Sequence, residues 1–474
     1  MRTSTITTIA AAALGANALN LVQPRDVSAP RVIQHDIQRR HVLNPVGRDR
    51  ARLRKRASKT VQASLANEET LYFMNATMGT PAQDLRLHID TGSSDLWVNV
   101  ASSTLCKSQG GDYCEASGTY APNKSTTYQY LNSLFNITYV DGTGSTGDYA
   151  TDVVKFSGVT VDNQQFGIGY TSTSQEGVLG IGYPINEVAV AYNGGKSYAN
   201  LPVSLVNQGA ISTNAYSLWL NDLDASTGTI LFGGVNTDKF TGTLKTLPII
   251  QEEGVYAEFI IALTAVGANG TEGSIATNLA EPALLDSGSS LMYLPDDITT
   301  DIYNTFGAQY DSSQGAAFVD CSLADADGSI DLTFSGATIS VALKELVIVA
   351  GEEKGQPICI IGISPAEGST PVLGDTFIRS AYIVYNIAGN DISIAQTNFN
   401  STSDNILEIT ETSTIPSATA VASAVTDLAV SSGDARLEGS SSSITSSAYA
   451  MPTAAIGYNA ALLGAVGAGM AFML

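Results

Sequence analysis

One pattern constrains this chain more than any other. Residues 88–98 read HIDTGSSDLWV, and residues 283–294 read ALLDSGSSLMYL, with Asp286 lying 196 residues after Asp90. In each, an apolar run enters an acid, followed by a hydroxyl residue, a glycine and two serines. An apolar run of this kind reads as a buried strand, and the Gly-Ser cluster ends it in a tight turn. The acid therefore sits where a buried strand emerges, and a carboxylate in that position is costly unless it has a use. Two such turns facing each other would hold two carboxylates close enough to share one proton and titrate as a coupled pair. Each turn alone is also what an Asx turn closing a hairpin looks like. The repeat decides between these readings. VLG at 178–180 lies 88 residues after Asp90, and VLG at 372–374 lies 86 residues after Asp286, so acid turn and apolar-Gly strand recur in the same order at nearly the same separation. That implies two related lobes.

The rest of the sequence agrees with an all-β, two-lobed body. At 474 residues there is room for two domains and a large core. The charge is sharply divided. Residues 19–56 hold ten Arg and Lys against three Asp, whereas from residue 57 onward there are twelve against forty-two acids, giving a leader near +7 and a remainder near −30. An acidic body argues against nucleic acid as a partner, since phosphates require a basic surface. It suits work at low pH, with simple solubility as the alternative. Of three histidines, His35 and His41 lie in the leader and only His88 in the body, which argues against a His-based metal site and a Ser-His-Asp site. His88 is expected to pack beside its strand. No metal and no cofactor are expected.

Over residues 70–400 the chain resembles the pepsin-like aspartic proteases. The resemblance is carried by the two acid turns, Trp97, the Gly-rich YVDGTGSTGDY at 139–149, GVLGIGYP at 177–184 and PVLGDTFIRSAYIVYN at 371–386. Its ends resemble those of the fungal yapsin branch. The resemblance implies a bilobal pepsin-like fold, with two pseudo-twofold β-lobes (57–240 and 241–400) around a cleft. It also implies peptide hydrolysis with Asp90 and Asp286 as catalytic residues and peptides or proteins as substrates. Tyr139 would be the tyrosine of a flap, with Gly92, Gly288 and Ser289 also facing substrate. Thr91 and Ser287 would lock the turns together, Ser93 and Ser289 would support the acids, and Trp97 would support the site. Asp141, two residues beyond Tyr139, resembles an acid that in fungal relatives admits Lys or Arg before the cut; an Asp-Gly turn is the alternative. Four cysteines allow three pairings, of which the resemblance implies Cys106–Cys114 and Cys321–Cys359. Asp375 and Arg379 are expected to form a structural ion pair. Both acid turns lie in one chain, so the active unit should be a monomer.

The chain ends point to the secretory pathway. Residues 1–18 carry Arg2, an apolar segment and Ala16-Asn17-Ala18, the pattern of a signal peptide. Residues 19–56 read as a basic prosegment that docks on the acidic body, ending in Lys55-Arg56, where a dibasic processing protease would cut. The family's prosegment lysine has no counterpart here, and Arg39-Arg40 are the nearest substitutes. Sequons stand at Asn75, Asn123, Asn136, Asn269 and Asn400. Residues 401–450 read as a Ser/Thr-rich stalk without a core. Residues 451–474 read as a GPI-attachment signal, with Ser446 or Ser447 as the attachment residue and a lipid as the contact with the membrane. The leading expectation is a cell-surface acid endopeptidase. A non-catalytic pepsin-fold binding protein and a structural wall glycoprotein are the alternatives.

Overall fold

The computed structural model describes residues 31–43, 68–108, 113–139, 144–192, 194–225, 227–428 and 430. The protein is mostly β and bilobal, as expected. Two kinds of strand are visible in its burial. Ala337–Ala342 alternates inward and outward side chains, the period of a sheet with one covered face. Leu96–Asn99, Gly177–Gly180 and Met292–Leu294 are buried at every position, because layers lie on both sides of them. These fully buried strands follow or underlie the acid turns, which are entered from Gln83–Asp90 and Thr271–Leu285, each buried toward its end.

The larger sheet has fourteen strands. Its middle is Ile33–Leu43, paired antiparallel with Thr227–Phe232 on one side and Glu68–Met78 on the other. Beyond Glu68–Met78 come Gln83–Asp90, Gly177–Gly180, Leu96–Asn99, Val159–Ser172, Gly144–Phe156 and Gln129–Thr138. Beyond Thr227–Phe232 come Ala215–Trp219, Ala381–Asn386, Asp391–Thr397, Phe240–Pro248 and Ala418–Ala420. The second half of the chain builds a seven-stranded sheet that includes Ile260–Ala268, Thr271–Leu285, Val372–Leu373 and Met292–Leu294.

Three features depart from the domain boundaries read in the sequence. The two halves are not cut cleanly near residue 240, since Ala381–Asn386 pairs with Ala215–Trp219 in the shared sheet. Part of the basic prosegment is a central strand, with Ile33 and Ile37 in the main core. Arg39 of that strand sits in register with Tyr72, and Arg379, Asp224 and Glu345 are the charges that act on it after burial and Tyr72. The stalk begins later than residue 401. Ile406–Glu408 pairs with Gly234–Asn236, Ala418–Ala420 pairs with Phe240–Pro248, and Ile409 and Ile415 are buried. Four Ile and Leu residues within a Ser/Thr-rich stretch dock it together with polar contacts, among them the Asn236 amide donating to Asp404 at 2.7 Å and the Asn386 amide donating to the Thr412 carbonyl at 2.7 Å.

Candidate active site

The first acid turn rests on three strands. Gln83–Asp90 runs parallel to Gly177–Gly180, with Asp90 opposite Gly180. Gly177–Gly180 also pairs antiparallel with Leu96–Asn99, Leu179 opposite Leu96. The chain thus leaves one strand at Asp90, turns through residues 91–95, and returns along the far side of the strand between. The second half repeats this with Leu285 opposite Leu373 and Leu373 opposite Met292. Glycine is required in the underlying strand: a Cβ at Gly180 would lie 2.6 Å from the Asp95 nitrogen, and one at Gly374 would lie 2.3 Å from the Ser289 carbonyl oxygen.

The two turns hold each other reciprocally. The Thr91 hydroxyl donates to the Leu285 carbonyl at 2.9 Å and accepts from the Ser287 N–H at 2.9 Å. The Ser287 hydroxyl donates to the Ile89 carbonyl at 3.0 Å and accepts from the Thr91 N–H at 3.2 Å. The carboxylates are held alike. Asp90 Oδ1 accepts from the Gly92 N–H at 3.0 Å and Oδ2 from the Ser93 hydroxyl at 2.6 Å. Asp286 Oδ1 accepts from the Gly288 N–H at 2.8 Å and Oδ2 from the Ser289 hydroxyl at 2.7 Å. Asp90 is 1% and Asp286 6% exposed. The turns are close-packed across the gap, since a Cβ on Gly92 would meet Asp286 Oδ1 at 2.5 Å.

Trp97 and Tyr139 are brought together: the indole N–H donates to the Tyr139 hydroxyl oxygen at 2.7 Å. Tyr139 follows the strand Gln129–Thr138, which forms a hairpin with Gly144–Phe156. Asp141 lies outside the described residues, as do residues 1–18, Arg56, Ser446, Ser447 and 451–474. His88 is buried with its ring 5.6 Å from Phe73. Both disulfides are the expected ones, Cys106–Cys114 and Cys321–Cys359. Of the sequons, Asn75, Asn123, Asn269 and Asn400 are exposed and Asn136 is half-buried.

The structure corrects the ion pair. Arg379 pairs with Glu345 rather than Asp375, Nε to Oε2 at 2.9 Å, and its NH2 group also donates to the Glu345 carbonyl at 2.7 Å. Burial opposes the guanidinium charge, but Glu345, Tyr72 and Asp375 together outweigh it and leave Arg379 above its ordinary value. Two further acids had drawn no attention in the sequence. Asp95 and Glu187 are both 0% exposed behind the first turn. The signal was available, because Asp95 and Glu187 are isolated acids directly before the apolar runs LWV and VAVA.

A two-lobed β protein that locks two Asp-hydroxyl-Gly turns face to face has the construction of an aspartic peptidase. The eukaryotic aspartyl protease family matches residues 71–397, and the chain belongs to that family. It is 53% identical over 433 residues to the probable aspartic-type endopeptidase opsB of Aspergillus oryzae, covering 90% of this chain and 88% of that one. With aspartic proteinase 3 of Saccharomyces cerevisiae it shares 33% identity over 79% of this chain and 78% of that one. The crystal structure of the aspartic proteinase from Irpex lacteus superposes with a TM-score of 0.58 at 19% identity, over 78% of this chain and all of the other, a likeness of fold. The chain is an aspartic-type endopeptidase, and its substrates are peptides or proteins.

Proposed function

We propose that Asp90 and Asp286 are the catalytic pair of a secreted, cell-surface endopeptidase that works at acidic pH. The observation that carries this reading is the reciprocal hydrogen bonding of Thr91 and Ser287, which fixes two carboxylates against each other with matched donors on each. Like charges so placed do not both ionise at low cost, so the pair keeps one proton in acid. The ionised partner takes a proton from a water lying between the two, and the water oxygen adds to the scissile carbonyl carbon. The protonated partner donates to the carbonyl oxygen, and a proton then passes to the leaving nitrogen as the C–N bond breaks. The two aspartates exchange protonation over the cycle. Gly92, Gly288 and Ser289 line the substrate side of the turns. The flap carries Tyr139 over the bound peptide and shields it from water.

The finer reading rests on the sequence. A signal peptide at 1–18, a cut after Arg56 by a dibasic processing protease and a GPI lipid on Ser446 or Ser447 would bring a monomeric, N-glycosylated enzyme to the plasma membrane or wall. Asp141 on the flap would accept Lys or Arg before the cut through charge-assisted hydrogen bonds.

The test is cleavage of a mixed peptide library at several acidic pH values by the full chain secreted from a yeast host, with Asp90→Asn as control. Acid-dependent cutting that vanishes in the variant is expected, with Lys and Arg enriched before the cut. Cutting that survives Asp90→Asn removes the pair from the mechanism, and enrichment of large apolar residues alone makes Asp141 a turn residue. Release of the enzyme from cells by a phosphatidylinositol-specific phospholipase tests the anchor.

A further inference from the structure

The mechanism above uses Asp90 and Asp286, yet a second pair of carboxyls is buried behind the first turn: Asp95, five residues past Asp90, and Glu187. Asp95 is fully satisfied. Its Oδ1 accepts from the Tyr149 hydroxyl at 2.7 Å and the Tyr198 hydroxyl at 3.1 Å, and its Oδ2 accepts from the Val188 N–H at 2.8 Å. Three donors are what an ionised carboxylate requires in the interior. Glu187 is served differently. Its Oε2 accepts from the Tyr198 N–H at 2.7 Å, while its Oε1 is buried without a hydrogen-bond partner. An ionised carboxylate with one bare oxygen, out of water and beside another anion, is strongly disfavoured. Burial first and the Asp95 charge second push the Glu187 carboxyl up to about 10, against the opposing pull of the Tyr198 N–H. The titratable groups facing it are Asp95 from the acid turn and Tyr198 from the loop before the helix Leu201–Asn207. Tyr149 of the flap hairpin's return strand reaches the same Asp95.

This cluster sits at the root of the flap. The Tyr198 ring meets Tyr149 edge-on at 5.9 Å, and Tyr149 meets Phe135 at 5.3 Å. Phe135 lies 6.3 Å from Trp97, whose indole holds Tyr139. Phe135 and Tyr149 stand on the two strands of the flap hairpin. Asp95 and Trp97 belong to the segment that leaves the first acid turn. Glu187, through Tyr198 and Asp95, therefore ties flap base and acid turn into one piece.

We propose that Glu187 is a positioning residue for peptide hydrolysis, holding the flap root against the first acid turn as a neutral carboxylic acid beside ionised Asp95, and releasing it when the proton is lost. The proposal deepens the assignment of Asp90 and Asp286 and rests on it. The direction with pH follows from proton linkage. The native state keeps a proton on Glu187 that the unfolded chain gives up above the ordinary glutamate value of 4.5, so this contribution to stability is complete below that value. It is then lost at about tenfold in the folding equilibrium per pH unit as pH rises toward the folded value.

The test compares wild type, Glu187→Gln and Glu187→Ala in the full chain, by urea unfolding and by kcat/KM between pH 5 and pH 8. Gln reproduces the shape of a neutral acid and cannot ionise. The expected result is a logarithm of the folding constant that falls less steeply with pH in the Gln variant, by about one per unit. Between pH 5 and pH 8 the native state keeps the proton, so the kcat/KM profiles of wild type and Gln variant should coincide wherever both are folded. At acid pH the Gln variant should keep the cleavage that the Ala variant loses by about tenfold or more in kcat, as expected for misplaced catalytic geometry. Identical pH slopes in wild type and Gln variant would mean that Glu187 is ionised in the native state and would overturn the proposal, as would equal loss of acid activity in Gln and Ala. If the Gln variant does not fold, the Ala variant carries the slope comparison, because it too lacks the carboxyl and must show the same flattening. The unfolding slope does not depend on catalysis. Failure of the Asp90 and Asp286 assignment would appear instead as cutting by Asp90→Asn with the slope difference intact.

Discussion

Replacing Gly92 by alanine adds one methyl group at the point where the turns are closest. The backbone at Gly92 lies outside the left-handed region, so alanine is conformationally acceptable there. The obstacle is Asp286, whose Oδ1 would lie 2.5 Å from the new carbon, against about 3.4 Å for an ordinary contact, so the carboxylate must retreat by about 0.9 Å. That shift stretches its bonds from the Gly288 N–H at 2.8 Å and the Ser289 hydroxyl at 2.7 Å beyond hydrogen-bond range. A displacement of about 1 Å in a reacting group costs roughly 100-fold in rate, or about 2.7 kcal/mol of barrier. Overpacking itself costs roughly 1–3 kcal/mol of stability. Gly92→Ala should therefore remain folded at acid pH, with a lowered melting temperature, while kcat/KM on a peptide substrate falls by about two orders of magnitude or more. Steady-state kinetics beside a thermal melt decide the matter. Activity within a few-fold of wild type would refute the reasoning, because it would mean that the two turns are farther apart than the Gly92–Asp286 contact implies.

Two further outcomes follow from the same geometry. Thr91→Val removes the hydroxyl shared by the Leu285 carbonyl and the Ser287 N–H, and two buried partners left unsatisfied should cost about 2–6 kcal/mol in urea unfolding. Combined with Ser287→Ala the loss should fall short of the sum, since both residues belong to one network. Removing Cys321–Cys359, which closes a loop of 38 residues, should cost about 4 kcal/mol, against about 2.5 kcal/mol for Cys106–Cys114 with its 8-residue loop. Urea midpoints of the two Cys→Ser pairs would show the opposite order if loop closure were not the source of the stabilisation.

What could be read in the sequence was what is encoded locally. Asp-hydroxyl-Gly-Ser-Ser specifies its own turn and its own donors, so Asp90, Ser93, Asp286 and Ser289 were identifiable without knowing what lay opposite. The disulfides followed from the family pattern. What escaped depended on partners distant in the chain. Arg379 has Asp375 one helical turn away, which suggests a pair, yet its counterion is Glu345 from another element, and no local spacing announces that choice. Ile33–Leu43 was hidden by charge: its Ile33 and Ile37 are spaced as in a strand, but the Arg-rich surroundings drew attention to electrostatics. Residues 401–421 were hidden by composition, since the buried Ile409 and Ile415 and contacts such as Asp404 to Asn236 depend on partners far away in the chain. Glu187 was hidden because its role depends on Tyr198 and Asp95 meeting it in space.

The reciprocal grip of Thr91 and Ser287 also sets a clock. Neither turn completes itself, and the strand beneath Asp286, Val372–Leu373, begins 282 residues after Asp90. At roughly 5–20 residues per second, a ribosome needs about 14–56 s to travel from one to the other. During that interval Asp90 stands without a completed turn opposite it, although Asp286 itself is made 196 residues after it. The two-turn site therefore closes as a single late event, when the last quarter of the chain folds back onto the first, and the apparatus that makes the enzyme meets no completed site before then.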